Sequence, residues 1–225
     1  MENLKALTEA VCCVAREAGH FLKEERKSFR REVVQEKHAH DYVSYVDKAS
    51  EKKVVSALRK LLPEAGFIAE EGSAAYSDET YCWVVDPLDG TTNYIHDNAP
   101  YCVSIALRDK QSLLLGVVYE PCRDECFYAW KGGGAYVNGE RLRVSLVSEL
   151  KDAFVVTELP YNFEQYARTG EHLIHELYGK VAGIRMNGSA ALALCYVAAG
   201  RFDAWLEAFI GKWDFSAAAL MVLEA

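Results

Sequence analysis

Residues 83–93 read WVVDPLDGTTN, and this stretch says more about fold and chemistry than any other part of the chain. An apolar run ends at Asp86, Pro87 stiffens the turn that follows, and Asp89 returns one turn later. The two carboxylates can therefore converge on one point, which is the geometry that a hard cation requires. The alternative is that Asp86 and Asp89 only cap the turn before a helix.

The residues that follow suit an anion. Gly90 allows the backbone to approach a ligand closely. Thr91 and Thr92 can begin a helix whose free N–H groups face a phosphate. The stretch thus predicts that a cation and an anion meet at one strand-to-helix junction.

Further acidic side chains stand at the ends of other predicted elements: Glu70 and Glu71 after an apolar run at 67–69, Asp41 and Asp47 ahead of a helix, and Asp214 at the start of the last helix. Each alone has a simpler explanation as a solvated loop, a surface residue or an N-cap.

If four such carboxylates converge, each like-charge pair at about 4 Å costs on the order of 4 kcal/mol at an effective dielectric constant of about 20. No Lys or Arg stands inside these motifs, so divalent cations are the expected compensation, and oxygen ligands favour Mg²⁺ or Mn²⁺.

Composition limits the class of protein. The chain has 225 residues, is 51% hydrophobic and carries a formal net charge of −8. A nucleic acid or a membrane is not expected as a partner, since both anionic surfaces are held by clustered Lys and Arg. The seven cysteines lack zinc-binding spacing and are expected to be reduced thiols. Without a leader pattern or an apolar segment of membrane-spanning length, the sequence predicts a cytoplasmic protein.

Apolar periodicity predicts a mixed α/β protein. Helical spacing recurs in five stretches: about 3–25, 46–61, 163–178, 189–199, and from Trp213-Asp214 onward. The charged stretch 23–37 is expected to be a helix end and a loop, and β-type runs dominate 101–144, with Asn138-Gly139 as a hairpin turn. Gly132 to Gly134 are interpreted as a hairpin loop, because no helix follows them. We predict one globular unit over 1–225, which can divide into subdomains 1–150 and 151–225 that share a cleft.

Two motifs resemble a known family. Residues 86–93 (DPLDGTTN) closely resemble the first signature of the inositol monophosphatase family, and residues 213–218 (WDFSAA) resemble the second. Four further segments match the family in the same order: 41–47, 67–71, 188–191 and 200–204. The match runs from about Asp41 to the C-terminus.

The resemblance implies a fold and an assembly. The expected fold is the α/β/α/β/α five-layer sandwich of the inositol monophosphatase and fructose-1,6-bisphosphatase type, in a lithium-sensitive homodimer. Residues 36–40 depart from the family, which often has a basic and small-polar stretch there. Members of the family usually continue into a further strand and helix beyond the point that corresponds to Ala225.

The resemblance also implies a metal site with two or three Mg²⁺ ions, for which Mn²⁺ can substitute. Glu70, Asp86 and the carbonyl of Leu88 would hold the first ion. Asp86, Asp89 and Asp214 would hold the second, and Glu70 would share a looser third through water.

Catalytic roles follow from the same resemblance. Asp47 would hydrogen-bond Thr91 and, with Glu70, orient and deprotonate the attacking water. The amides of Gly90 and Thr91 would bind phosphate. In-line attack by metal-activated water would then need no covalent phospho-enzyme. The residues that would meet the polyol hydroxyls are Asp89, Ala190 and Glu207.

The preferred substrate implied by the family is inositol-1-phosphate, within the wider class of small polyol or sugar phosphates. Fructose-1,6-bisphosphatase, histidinol-phosphate phosphatase and 3′(2′),5′-bisphosphate nucleotidase activities are alternatives in the same superfamily. The nucleotidases commonly have Lys-Glu where this chain has Thr92-Asn93, which makes that alternative weaker. A non-catalytic module that binds metal or phosphate is the alternative of a different class.

Overall fold

The computed structural model describes residues 3–38, 41–75, 78–159 and 163–225. Within these ranges the chain forms six α-helices: α1 Leu4–Arg26, α2 Tyr45–Leu61, α3 Thr91–Ile95, α4 Phe163–Leu177, α5 Ala190–Ala198 and α6 Lys212–Glu224. The same ranges contain twelve strands: β1 Gln35–His38, β2 Asp41–Val43, β3 Gly66–Ala69, β4 Cys82–Asp89, β5 Cys102–Arg108, β6 Leu113–Glu120, β7 Glu125–Trp130, β8 Gly134–Val137, β9 Glu140–Arg141, β10 Phe154–Thr157, β11 Gly183–Arg185 and β12 Ala204–Leu206.

Seven strands form the main sheet in the order β3-β4-β5-β6-β7-β8-β9. Strands β3 and β4 are parallel, and each later neighbour is antiparallel. Successive side chains point to opposite faces, so Trp83 and Val85 enter the core beneath α1 and α2, whereas Val84 enters the core beneath α5 and α6. Burial on both faces explains why these strands are continuous apolar runs in the sequence.

Helix α6 lies directly on the main sheet. A Cβ atom at Gly116 of β6 would be only 2.3 Å from the carbonyl oxygen of Ala217 in α6. Glycine is therefore required at this position for the helix to approach the strand so closely. The contact also fixes the start of α6 relative to the strands that carry acidic residues.

A second sheet has the order β11-β10-β12, with all strands parallel. It packs against α5 on one side. Helix α4 contacts the segments that follow β10 and β12, because Gly170 lies against Leu159 and Tyr166 stacks on Phe209 with ring centroids 5.3 Å apart. The layers thus run α/β/α/β/α, which confirms the predicted fold class.

Most of the predicted elements are confirmed, including α1, α2 and the hairpin turn at Asn138-Gly139, where both residues have positive φ. Gly132 to Gly134 lie at the β7–β8 hairpin, as predicted.

The loop predicted over 23–37 was partly wrong, since Gln35–His38 forms β1 and pairs with β2. The sequence of this strand does not alternate between apolar and polar residues, so only its pairing with β2 identifies it as a strand. Residues 36–40 depart from the family pattern, and two of them, Ala39 and His40, lie outside the described residues. The division at residue 150 stays a prediction.

None of the helices in the described ranges combines the length and the apolar character needed to cross a membrane.

Candidate functional site

Three carboxylates converge where strand β4 meets helix α6. One carboxylate oxygen from each of Asp86, Asp89 and Asp214 lies within 4.8 Å of the other two. Asp86 and Asp89 are buried, with 2% and 9% of their surface exposed, and Asp214 is half-buried. The fold thus brings together three residues that the sequence analysis named as metal ligands.

A β-bulge in β4 allows the convergence. Asp86 pairs with Ser104 of β5 and Asp89 pairs with Cys102, so three steps along β4 match two along β5. Pro87 lies inside this irregularity and has no N–H to donate to the ladder. Side chains three positions apart point to opposite faces of a regular strand, and the bulge removes that difference. The expectation that the strand ends at Asp86 was wrong, because β4 continues to Asp89.

The first turn of α6 holds the third carboxylate. Asp214 Oδ2 accepts a hydrogen bond of 2.6 Å from the N–H of Gly211, the residue before the helix. Ser104 of β5 donates a 3.2 Å hydrogen bond to the carbonyl of Trp213. Because Ser104 also pairs with Asp86, these contacts connect the start of the helix to the bulge.

The carboxylates titrate abnormally because they are buried beside one another. Burial raises the pKa of Asp86 well above its usual value, and the charges of Glu70, Asp89 and Asp214 raise it further. Burial and the charge of Asp89 raise the pKa of Asp214 to about 7. Burial also raises the pKa of Asp89 to about 6, although hydrogen bonds, first of all from Ser189, oppose that shift. A divalent cation would relieve the repulsion, and three hard oxygen donors fit such an ion.

Helix α5 fixes the orientation of Asp89. Ser189 Oγ donates a hydrogen bond of 2.6 Å to Asp89 Oδ2, and the N–H of Ala191 donates one of 2.9 Å to the same oxygen. The thiol of Cys102 is 3.7 Å from that oxygen and adds a weak contact. All three donors reach Oδ2, so Oδ1 is the oxygen available to a cation.

Thr91 and Asp47 form the hydrogen-bonded pair that the sequence analysis named. Thr91 Oγ1 is 3.2 Å from Asp47 Oδ1 and 2.9 Å from the carbonyl oxygen of Leu88. The hydroxyl has one proton and can donate it fully to only one of these acceptors. Asp47 Oδ2 accepts hydrogen bonds from both the N–H and the hydroxyl of Ser44, at 2.9 and 2.7 Å. Burial raises the pKa of Asp47 despite these bonds.

Gly90 makes the junction between β4 and α3. Its φ is 88°, in the left-handed region, and a Cβ atom would lie 3.0 Å from the carbonyl oxygen of Pro100 and 3.1 Å from that of Gly188. Only glycine meets both requirements without strain. The N–H groups of Gly90 and Thr91 therefore sit where the chain turns from the acidic bulge into α3.

Glu70 lies close to the three aspartates but outside their group. It follows β3, and its N–H donates a 3.2 Å hydrogen bond to the carbonyl of Val85 in β4. Its charge raises the pKa of Asp86 more than any other charge does, and it also raises that of Asp214. The fold therefore places this predicted ligand beside Asp86 rather than at the centre of the cluster.

Glu207 follows β12 and lies near Asp89 and Asp214 of the cluster. Burial raises its pKa to about 9, and the charges of Glu158, Asp214 and Asp89 add to the shift. Its Oε2 is buried and has no hydrogen-bond partner among the residues that the structure describes. Ala190, the other residue predicted to meet the substrate, is the first residue of α5 and is buried.

The turn before α5 is held by residues that were not predicted from the sequence. Glu158 Oε1 accepts hydrogen bonds from the N–H groups of Asn187 and Gly188, at 2.5 and 2.8 Å. From the other side, Asn93 donates to the carbonyls of Asn187 and Pro100, at 2.9 and 2.8 Å. Asn93 stands inside the DPLDGTTN motif and could have been suspected, whereas nothing in the sequence marks Glu158.

A layered α/β fold that gathers carboxylates beside a helix start suits metal-assisted chemistry on a phosphate ester. Residues 3–225 match the model of the inositol monophosphatase family. The chain belongs to this family. It is accordingly a metal-dependent phosphatase whose substrate is a phosphorylated small molecule, and its acidic cluster could hold the metal.

Known proteins resemble the chain over most of its length. The Nus factor SuhB of Escherichia coli (strain K12) is 41% identical over 212 residues, which are 94% of this chain and 79% of the relative. The fructose-1,6-bisphosphatase/inositol-1-monophosphatase of Aquifex aeolicus (strain VF5) is 36% identical over 225 residues, 100% of this chain and 85% of the relative. The crystal structure of the extragenic suppressor protein suhB from Bartonella henselae matches with a TM-score of 0.92 and 37% identity, covering 98% of this chain and 85% of that chain.

Proposed function

We propose that this chain hydrolyses the phosphate monoester of a small polyol or sugar, with inositol-1-phosphate as the preferred substrate. The observation that carries the proposal is the convergence of Asp86, Asp89 and Asp214, of which Asp86 and Asp89 lie in the segment that leads into α3. The cation site and the N–H groups at the start of α3 thereby adjoin each other, which suits a phosphate ester. Membership of a family of phosphatases supports the same reaction.

We assign the cations as Mg²⁺, because the donors are all oxygen atoms. Glu70, Asp86 and the carbonyl of Leu88 would hold one ion, and Glu70 would share a looser third through water. Asp86, Asp89 and Asp214 would hold the second. Bound cations would supply positive charge against the phosphate and lower the pKa of the attacking water.

Asp47 and Thr91 would carry the proton that the attacking water releases. The single hydroxyl proton of Thr91 would be donated to Asp47, which is 3.2 Å away, and the Leu88 carbonyl would be left to hold a cation. The lone pairs of Thr91 Oγ1 would then accept a hydrogen bond from the attacking water. The raised pKa of Asp47 makes it a better base than an exposed aspartate. Glu70 would face the same water from the other side.

The substrate would be held at two ends. The N–H groups of Gly90 and Thr91, at the start of α3, would bind phosphate oxygens. Asp89, Ala190 and Glu207 would meet the polyol. Burial is the main cause that raises the pKa of Glu207 and favours its protonated form, in which the carboxyl group can both donate to and accept from hydroxyl groups. A substrate hydroxyl would give its buried Oε2 a partner.

Release of inorganic phosphate tests the proposal. The purified chain would be assayed on inositol-1-phosphate, fructose-1,6-bisphosphate, histidinol phosphate and adenosine 3′,5′-bisphosphate, with Mg²⁺ and with a chelator. We expect the highest turnover on inositol-1-phosphate and none with the chelator. A preference for another substrate would overturn the assignment of inositol phosphate, and turnover that survives the chelator would overturn the mechanism. The homodimer, the cytoplasmic location and lithium sensitivity stay predictions from the family.

A further inference from the structure

A buried glutamate outside the predicted ligand set holds the loop that carries Glu70. Glu51 of α2 has 0% of its surface exposed. Its Oε2 accepts a hydrogen bond of 2.6 Å from the N–H of Glu71, and its Oε1 accepts one of 2.7 Å from the N–H of Ser73. Both carboxylate oxygens are thus bonded to the backbone of one short loop.

These bonds complete the anchoring of the loop. Its first residue, Glu70, is tied to β4 through the 3.2 Å hydrogen bond to Val85, and the N–H of Gly72 bonds back to the carbonyl of Ala69 at 3.2 Å. Hydrogen bonds from N–H groups to a carboxylate are about twice as strong as those to a neutral acceptor. A buried carboxylate is also costly unless such donors satisfy it. The conformation of the loop and the burial of Glu51 therefore depend on each other.

Glu51 belongs to a polar face of α2 where an apolar face would be expected. Ser50 and Glu51 lie three and four residues after Asp47, about one helical turn, and the exposed fractions of the three are 0%, 0% and 1%. Each contacts a different part of the site. Asp47 reaches Thr91, Ser50 donates a 3.1 Å hydrogen bond to the carbonyl of Pro87, and Glu51 holds the loop after Glu70. One helix thereby contacts the bulge of β4, the start of α3 and the loop after Glu70.

We propose that Glu51 is a positioning residue for the cation site, which holds residues 71–73 so that the Glu70 carboxylate faces Asp86. Glu51 bonds to backbone N–H groups and acts on the cation only through Glu70. The inference rests on the proposed function, because Glu70 is a ligand only in that account. It adds a residue to the site whose effect should appear in metal affinity.

The chain offers a matched control in Glu120. This residue at the end of β6 also has 0% of its surface exposed, and its carboxylate accepts hydrogen bonds from the N–H groups of Cys122, at 3.0 Å, and of Arg123. It therefore has the same chemistry as Glu51, but it holds the turn between β6 and β7. Glu51→Gln and Glu120→Gln remove equivalent bonds from different loops.

Direct binding of Mn²⁺, followed by the loss of the free-ion electron paramagnetic resonance signal, is the main measurement. Phosphate release as a function of Mg²⁺ concentration is the second. Residues that orient metal ligands change metal affinity by about 10-fold to 100-fold when they are substituted. We expect Glu51→Gln to weaken Mn²⁺ binding by about tenfold or more, and Glu120→Gln to bind like the wild type even if both melt at lower temperature. Equal Mn²⁺ affinity in the two variants overturns the proposal.

If Glu51→Gln does not fold, Glu51→Asp decides the question, because it keeps the charge and withdraws it by one methylene group. Weaker Mn²⁺ binding in Glu51→Asp supports the proposal, and unchanged binding overturns it. Wild-type protein that binds Mn²⁺ but releases no phosphate overturns the proposed function alone, and the Mn²⁺ comparison still decides the role of Glu51. Wild-type protein that binds no Mn²⁺ overturns both.

Discussion

The hydroxyl of Ser189 donates a hydrogen bond of 2.6 Å to Oδ2 of Asp89, a residue 100 positions earlier in the chain. The bond joins the start of α5 to the end of β4, and the N–H of Ala191 donates a second hydrogen bond to the same oxygen. The rotation of the Asp89 side chain is therefore set by the protein itself. A ligand meets a carboxylate that is already oriented, which reduces the entropy lost on binding.

Asp89→Asn is expected to lower turnover by about a hundredfold or more and to leave the fold intact. A loss of this size is typical when a main electrostatic stabiliser of the transition state is removed. The amide oxygen would keep the donors Ser189 and Ala191, so the NH₂ group would take the place of Oδ1, where a cation needs an oxygen. Steady-state kinetics in Mg²⁺, with circular dichroism as the control for folding, make the check. Near-native turnover would remove Asp89 from the ligand set.

Glu207→Gln is expected to change the choice between substrates. Glu207 lies on the polyol side in our proposal, so the ratio of kcat/KM values for different polyol phosphates should shift. Hydrolysis of an aryl phosphate, which offers no polyol hydroxyls, should fall less. Equal losses on every substrate would argue for a general structural or electrostatic role instead.

Gly90→Ala is expected to reduce both turnover and stability. The left-handed φ alone costs about 1–2 kcal/mol for a residue with a Cβ atom. The added Cβ would also press against two carbonyl oxygens, at 3.0 and 3.1 Å. Gly132→Ala is the matched control, because Gly132 has a φ of 75° but open space around the added atom. Thermal melts should show a larger loss for Gly90→Ala, and only that variant should lose turnover. Equal effects would mean that the close contacts of Gly90 with the carbonyl oxygens of Pro100 and Gly188 are unimportant.

The cation-free protein is expected to become less stable as pH rises. In the folded state the pKa values of Asp89 and Asp214 are raised from 3.8 to about 6 and about 7. At pH values between the unfolded and the folded pKa of each group, the folded state binds more protons than the unfolded state. The free energy of unfolding therefore falls as pH increases. Urea denaturation in chelator should give a lower midpoint at about pH 8 than at about pH 5. A midpoint that rises over this range would contradict the carboxylate repulsion.

Much of the site could be predicted because its ligands stand in local patterns. Asp86 and Asp89 occupy one short motif after an apolar strand, and Asp214 stands at the start of the last helix, directly before a run of apolar residues. Helices α1 and α2 were predictable for the same reason, since their apolar faces repeat at helical spacing. An element and its functional residues could be predicted from the sequence wherever both lie in the same short segment.

The rest depends on contacts between distant segments. The bulge in β4 exists only in register with β5, so the sequence around Pro87 suggested a simple turn. Glu51 precedes Lys52 and Lys53, which makes it look like a solvated surface residue, yet it is fully buried against the Glu70 loop. Glu158 likewise acts on backbone N–H groups about 30 residues away. Backbone groups have no sequence signature, so such partners are visible only in the fold.

Thermal melts of the wild type and Asp214→Asn at about pH 8, each in chelator and in Mg²⁺, test the central claim that the carboxylates form a cation site. In chelator, Asp214→Asn should be as stable as the wild type or more stable, because one repelling charge is gone. Magnesium should reverse this order, since a ligand that binds only the folded state adds about 2.7 kcal/mol at a hundredfold excess over Kd. The account predicts a larger Mg²⁺-induced rise in Tm for the wild type than for the variant. A rise in neither protein, or an equal rise in both, would contradict it.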